Sequence, residues 1–275
     1  MSISFNSWFR TREPLGSSHW MTSLELVNHA WVLHAMGSTS EAGTLYHQSC
    51  SSFESQLGEF HPLTALAKYS IGWHETTEGN YSKAKSYLFQ SIGILEHLHG
   101  NCHPDIATPK ELLGWVSLFD SSFELAFTYA SEALEITKSC YGDIHPNLIL
   151  PLALLGSAMC RLGKTGKAHE TMLEAEDIAH KANFSSSLDY AQLLICRAKL
   201  LFSTGDTELS FDALDHAQAI RKKLLPSKHH DLMIIASNLN LLVSIGTQAF
   251  PSPHYDKESF SEKFIARRFC GSSTM

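Results

Sequence analysis

Four side chains able to bind a metal fall within seven residues of this chain: His97, His99, Cys102 and His103. Imidazole and thiolate are ligands that zinc accepts, four to an ion in structural sites. The spacing argues against that use. His97-x-His99 spans a helix end, so the two rings point in different directions, and the separations do not match the usual zinc-ligand patterns. His103 also belongs to a wider pattern whose other members, His61 and His145, lack such companions. No metal site is expected. Nucleophilic and phosphate-binding signatures are missing as well: there is no GxSxG, no P-loop and no GxGxxG. Glu132 and Glu135 read as solvated helix charges, and spacing identifies no histidine partner for Cys140. The chain therefore reads as a non-enzyme, with no cofactor and no small-molecule substrate.

The wider pattern is a ruler. His-Pro occurs at His61-Pro62, His103-Pro104 and His145-Pro146, at a constant interval of 42 residues. One step back lands on His19; two steps on land on Ser187 and His229. A glycine precedes each early histidine by three residues: Gly16, Gly58, Gly100 and Gly142. A second track holds Gly37, Gly79, Gly163 and Gly205, with Ser121 in the missing place. Small residues keep the same time at Ala30, Gly72, Gly114, Gly156 and Ala198, and at Ala42, Ala84, Ala126 and Ala168. Internal similarity at such a period marks one supersecondary unit stacked on its copies.

Each track has a local meaning. Proline suits the first position of a helix, where its missing N–H would be unbonded anyway. Glycine suits the residue just past a helix end, where the chain turns left-handed. A unit is thus helix A of about 17 residues, a tight turn, and helix B of about 18, beginning near Tyr81, Phe123 and Phe211. The small residues fall where two helices must approach closely. Units begin near 19, 61, 103, 145, 187 and 229, and fill residues 19–248, the last one incomplete. Residues 1–18 are either a remnant helix packing Phe5, Trp8 and Phe9, or a weak targeting segment carrying Arg10 and Arg12. At the other end Phe250-Pro251-Ser252-Pro253 stops a helix. Residues 249–275 are expected to form a capping helix, from Asp256 to Arg268, and a frayed tail.

Composition bounds the partners. With 44% hydrophobic residues the chain can bury a large core. A net charge of −7 argues against nucleic acid, which selects basic patches. No apolar run reaches the length of a membrane span. The six cysteines show no CxxC, and free buried thiols in a reducing compartment are expected. Cytoplasm is the expected location, with mitochondrion or plastid as the alternative.

The pattern resembles tetratricopeptide repeats: small residues at Gly72 and Ala84, Gly79 at the turn, Tyr81 just after it. The 42-residue spacing and Gly100-Asn101-Cys102-His103-Pro104-Asp105-Ile106-Ala107 are similar to the kinesin light chain variety. The resemblance covers residues 16–248. It implies an all-α, right-handed superhelical solenoid of antiparallel helix pairs, with helix A lining a concave groove that takes a peptide or helix of a partner protein. Kinesin light chains place paired asparagines in helix A. Here only Val27-Asn28 and Ser237-Asn238 keep one of each pair, so that contact is not carried over.

In the family the residue after the small one of helix A faces the groove. Here that column reads Trp31, Trp73 and Trp115, then Ser157, Lys199 and Leu241. Neighbouring positions add His34, Tyr69, Glu111, Phe119, Arg161 and Phe202. Tryptophan and arginine are enriched among binding hot spots, and Arg161 with Lys199 could clamp a carboxylate. Two readings of the tryptophans stay open: a ladder up the groove, or packing between adjacent repeats. Two functions follow. One is a scaffold or adaptor with a concave groove. The other is a structural assembly factor, organellar in one version, that works through its convex face or terminal cap.

Overall fold

A computed structural model describes residues 19–225, which fall into two compact units, 19–109 and 110–225. The expected N-terminal segment, the sixth unit and the C-terminal cap lie outside the described residues. Ten α-helices and one short 3-10 turn account for the regular structure of the described residues. In the first unit these are α1 (Trp20–Ala35), α2 (Thr39–Leu57), α3 (Pro62–Thr77), α4 (Tyr81–His99) and the start of α5 (Pro104–Phe119). The second unit holds the rest of α5, then α6 (Phe123–Tyr141), α7 (Ile149–Arg161), α8 (Thr165–Lys181), α9 (Leu188–Thr204) and α10 (Thr207–Leu224). The division falls at Pro109, a proline inside α5.

The ruler histidine is a helix N-cap. His19, His61, His103 and His145 each accept, through Nδ1, the backbone N–H two residues on, at 3.2, 3.1, 3.3 and 3.1 Å. Ser187 does the same work with its hydroxyl, accepting from the Tyr190 N–H at 3.1 Å. Helices begin with several N–H groups that lack partners within the helix, and a side-chain acceptor satisfies one of them. The proline that follows has no N–H to satisfy. His-Pro is therefore a matched pair, acceptor first and donor-free residue second.

Each helix pair closes by one recurring turn. Gly79 takes φ +78° and passes the chain on so that the Asn80 N–H reaches the Glu75 carbonyl at 2.8 Å. Equivalent bonds join Ser38 to Leu33, Ser122 to Ser117, Lys164 to Met159 and Asp206 to Leu201. This six-to-one bond after a left-handed residue is the Schellman arrangement. Ser121, in the glycine track without being glycine, is forced to φ +60°. The small-residue track explains itself in the same way. A Cβ added at Gly72 would meet Leu88 Cγ at 2.8 Å, and one at Gly156 would meet Met172 Cγ at 2.9 Å.

Two boundaries differ from expectation. The helix expected from Pro146 starts as a 3-10 turn over Pro146–Leu148 and becomes α-helical at Ile149. Pro151 lacks the N–H that would bond the Asn147 carbonyl, so the first turn tightens to shorter bonds. The second helix of the fifth pair begins at Thr207, four residues before Phe211. The turn there is shortened to Gly205 and Asp206, so the ruler, not the aromatic residue, marks the start.

Candidate functional site

The expected groove residues divide by burial. In the first unit Trp31, Tyr69 and Trp73 are 2%, 1% and 1% exposed. Trp73 on α3 lies with its ring centroid 4.2 Å from His34 on α1 and 6.3 Å from Tyr46 on α2. It fills the space between one helix pair and the next. In the second unit Glu111 and Trp115 are also buried, and the Trp115 indole N–H donates to Glu111 Oε1 at 3.4 Å. The tryptophan ladder expected as groove lining is thus found packed in the interior. An aromatic ring of that size at a helix crossing loses less by being enclosed than by facing water.

Four of the expected residues keep open surface, and all lie in the second unit. Phe119, Arg161, Lys199 and Phe202 are half-buried. Phe119 stacks along α5 on Trp115, centroid to centroid 6.2 Å. Arg161 places its guanidinium 4.6 Å over the ring of Phe123, and Lys164 sits 5.3 Å over Phe127. Phe119 and Arg161 occupy one ruler position, and Ser203 is the next member. Cys160 Sγ and Ser203 Oγ are 3.5 Å apart, so the ends of α7 and α9 lie side by side. Successive first helices therefore carry an aromatic ring, a cation and a hydroxyl in register. Lys199 is one helical turn before Ser203.

Around Trp73 the first unit also brings the expected groove residue His34 against His74, which spacing did not single out. His34 and His74 lie 5.8 Å apart, ring to ring, and His34 Nε2 shares a 2.9 Å hydrogen bond with Thr77 Oγ1. Burial, and next the neighbouring His74, hold the His34 pKa down at about 4. Burial lowers His74 as well, and a Cβ at Gly43 would strike its Nε2. Both imidazoles are neutral at physiological pH and enclosed. Burial, and then Glu54, push the Cys50 thiol pKa up to about 11, which disfavours the reactive thiolate. Of the five described cysteines, Cys50 and Cys196 are buried while Cys102 and Cys140 are exposed. The expectation of buried thiols therefore holds for two of them only.

The sequence matches no family profile and no curated protein. Its structural neighbours are tetratricopeptide-repeat proteins. BtubC (BKLC) from P. vanneervenii superposes with a TM-score of 0.63 at 18% identity, covering 92% of this chain and 93% of that one. Nearly identical TPR-like repeats of a kinesin light chain from Podosopora anserina superpose at 0.58 and 18% identity, over 76% and 99%. A Rap protein complexed with competence and sporulation factor superposes at 0.58 and 13% identity, over 82% and 64%. At such identities the likeness establishes the fold: an all-α solenoid of tetratricopeptide type.

Proposed function

We propose that the chain is a non-catalytic interaction scaffold that holds a peptide or helical segment of a partner protein. The observation that carries this reading is the register of Phe119, Arg161 and Ser203 on successive first helices of the second unit, with Lys199 beside them. These residues and Phe202 keep open surface while Trp31, His34, Tyr69, Trp73, Glu111 and Trp115 are enclosed. An aromatic ring beside two cations suits a segment with an apolar anchor and a carboxylate. That one neighbour of this fold was solved with a bound factor agrees with the reading. The compartment we propose is the cytoplasm, with mitochondrion or plastid as the alternative; imaging of the tagged full-length chain distinguishes them.

The test is quantitative affinity capture with the wild type and with F119A, R161E and K199E. Loss of one set of partners in all three variants, with helicity kept, supports the scaffold. Retention of every partner in all three removes it. A second reading, an assembly factor using its outer face, is favoured by a separate observation. Leu125 on α6, Leu173 on α8 and Leu209 on α10, all within the second unit, are 47%, 41% and 53% exposed, each on the second helix of its pair. Substituting them with lysine distinguishes the two, because the assembly reading loses its partners there and the groove reading does not.

A further inference from the structure

We infer that the junction between α4 and α5 binds a divalent transition-metal ion through His99, His103 and Asp105. One ligand atom from each of the three lies within 4.8 Å of the others. His99 ends α4, His103 precedes α5 and Asp105 stands in its first turn. The two imidazoles are stacked, centroids 4.3 Å apart and planes 25° from parallel, and His103 Nδ1 is 3.7 Å from Asp105 Oδ2. Nitrogen and oxygen ligands around tetrahedral zinc sit about 3.3 Å from one another, given bonds of roughly 2.0–2.2 Å. Closing the trio on an ion therefore needs shifts of about 1.5 Å at most. His99 and Asp105 are exposed and can rotate that far. Two imidazoles and a carboxylate suit zinc, nickel or copper, whereas magnesium and calcium call for oxygen donors. Water completes the coordination.

The other junctions show that this one is distinct. The residue four places before the capping histidine is Leu57, His99 or Tyr141, and the residue two places after it is Leu63, Asp105 or Asn147. Tyr141 stacks on His145 at 4.5 Å and 17°, the same arrangement as His99 on His103. The stacking is thus a product of the repeat, held by the backbone of the junction. Only the second junction puts ligands on both sides of the histidine.

The site also competes with the helix. His103 Nδ1 already accepts the Asp105 N–H, at 3.3 Å the longest of the four histidine caps. Coordination through Nδ1 displaces that bond directly. Coordination through Nε2 moves the proton to Nδ1 and removes the acceptor. Either route uncaps α5, so affinity falls below that of a dedicated zinc-finger site.

Zinc titration of the full chain by equilibrium dialysis at neutral pH tests the inference, with H99A, D105N, the double variant and H97A alongside. None of these substitutions removes a cap. His97, whose ring lies 4.6 Å from Phe60, belongs outside the trio. The wild type and H97A are expected to bind one more equivalent than the double variant, and each single variant to weaken that equivalent tenfold or more. A hundredfold excess of magnesium should not displace it. Equal zinc uptake by the wild type and the double variant overturns the inference, as does an equal loss in H97A.

Discussion

Acid should loosen the first unit through His34, by an amount that burial sets. The residue is 6% exposed, its ring packed at a tilt against Trp73 and hydrogen-bonded to Thr77. The unfolded chain takes up a proton near the ordinary 6.5, while the folded chain refuses it down to about 4. Between those values the unfolded state binds more protons, so stability falls as the pH falls through that window and is unaffected by this group above it. The full separation corresponds to about 3 kcal/mol, and roughly 2 kcal/mol is already lost at pH 5. His74, also lowered by burial, acts in the same direction. The perturbation is H34Q, whose amide can keep the bond to Thr77 without titrating. Urea unfolding of both proteins at pH 7.5, 6 and 5, followed by tryptophan fluorescence, isolates the term because the carboxylates are common to both. The wild type should lose about 2 kcal/mol more than H34Q between pH 7.5 and 5. Parallel pH profiles for the two proteins would refute the reasoning.

Three further outcomes follow from local geometry. Trp73→Ala opens a cavity at a fully enclosed position and should cost about 3–5 kcal/mol in equilibrium unfolding; a loss below about 1 kcal/mol would return Trp73 to open surface. Ser121→Gly removes a side chain held at φ +60° and should stabilise the protein by about 1 kcal/mol, seen as a higher Tm. His61→Ala should cost about 1 kcal/mol by removing an N-cap acceptor, and His61→Ser should recover most of it. Equal stability of the alanine and serine variants would mean that the histidine acts by packing instead.

The fold was legible because every unit has the same three local problems. A helix start needs an acceptor, a tight turn needs a left-handed residue, and a close crossing needs a small one. Each problem admits few residue types, so the solutions recur every 42 residues and show through low similarity. The first was legible only in part: the period marks His61 as a recurring residue before a helix-starting proline, but histidine is an uncommon cap and nothing in the spacing shows its Nδ1 accepting the Leu63 N–H. The tryptophan column was a different kind of problem. A period shows which residues share an environment, not whether that environment is open. Trp73 is enclosed because His34 and Tyr46, on the preceding pair, close over it. Neither residue recurs as an aromatic at the period, so the ruler carried no notice that they cover Trp73.

The same limit explains the metal cluster. A window along the chain collected His97, His99, Cys102 and His103 and left out Asp105. The junction sorts them otherwise. Left-handed Gly100 ends α4 and reverses the chain, which lays His99 on His103 while His97 goes to Phe60. Asp105 joins because α5 starts immediately afterwards. Recurring columns in this chain build the scaffold, since each unit must repeat them to fold. Residues that differ at a ruler position meet no such requirement. His99 where the neighbouring units have Leu57 and Tyr141, and Phe119 and Arg161 at one shared position, can serve something other than folding. A search for function in a repeat of this kind therefore belongs at the departures from the period, read on the surfaces that the period has built.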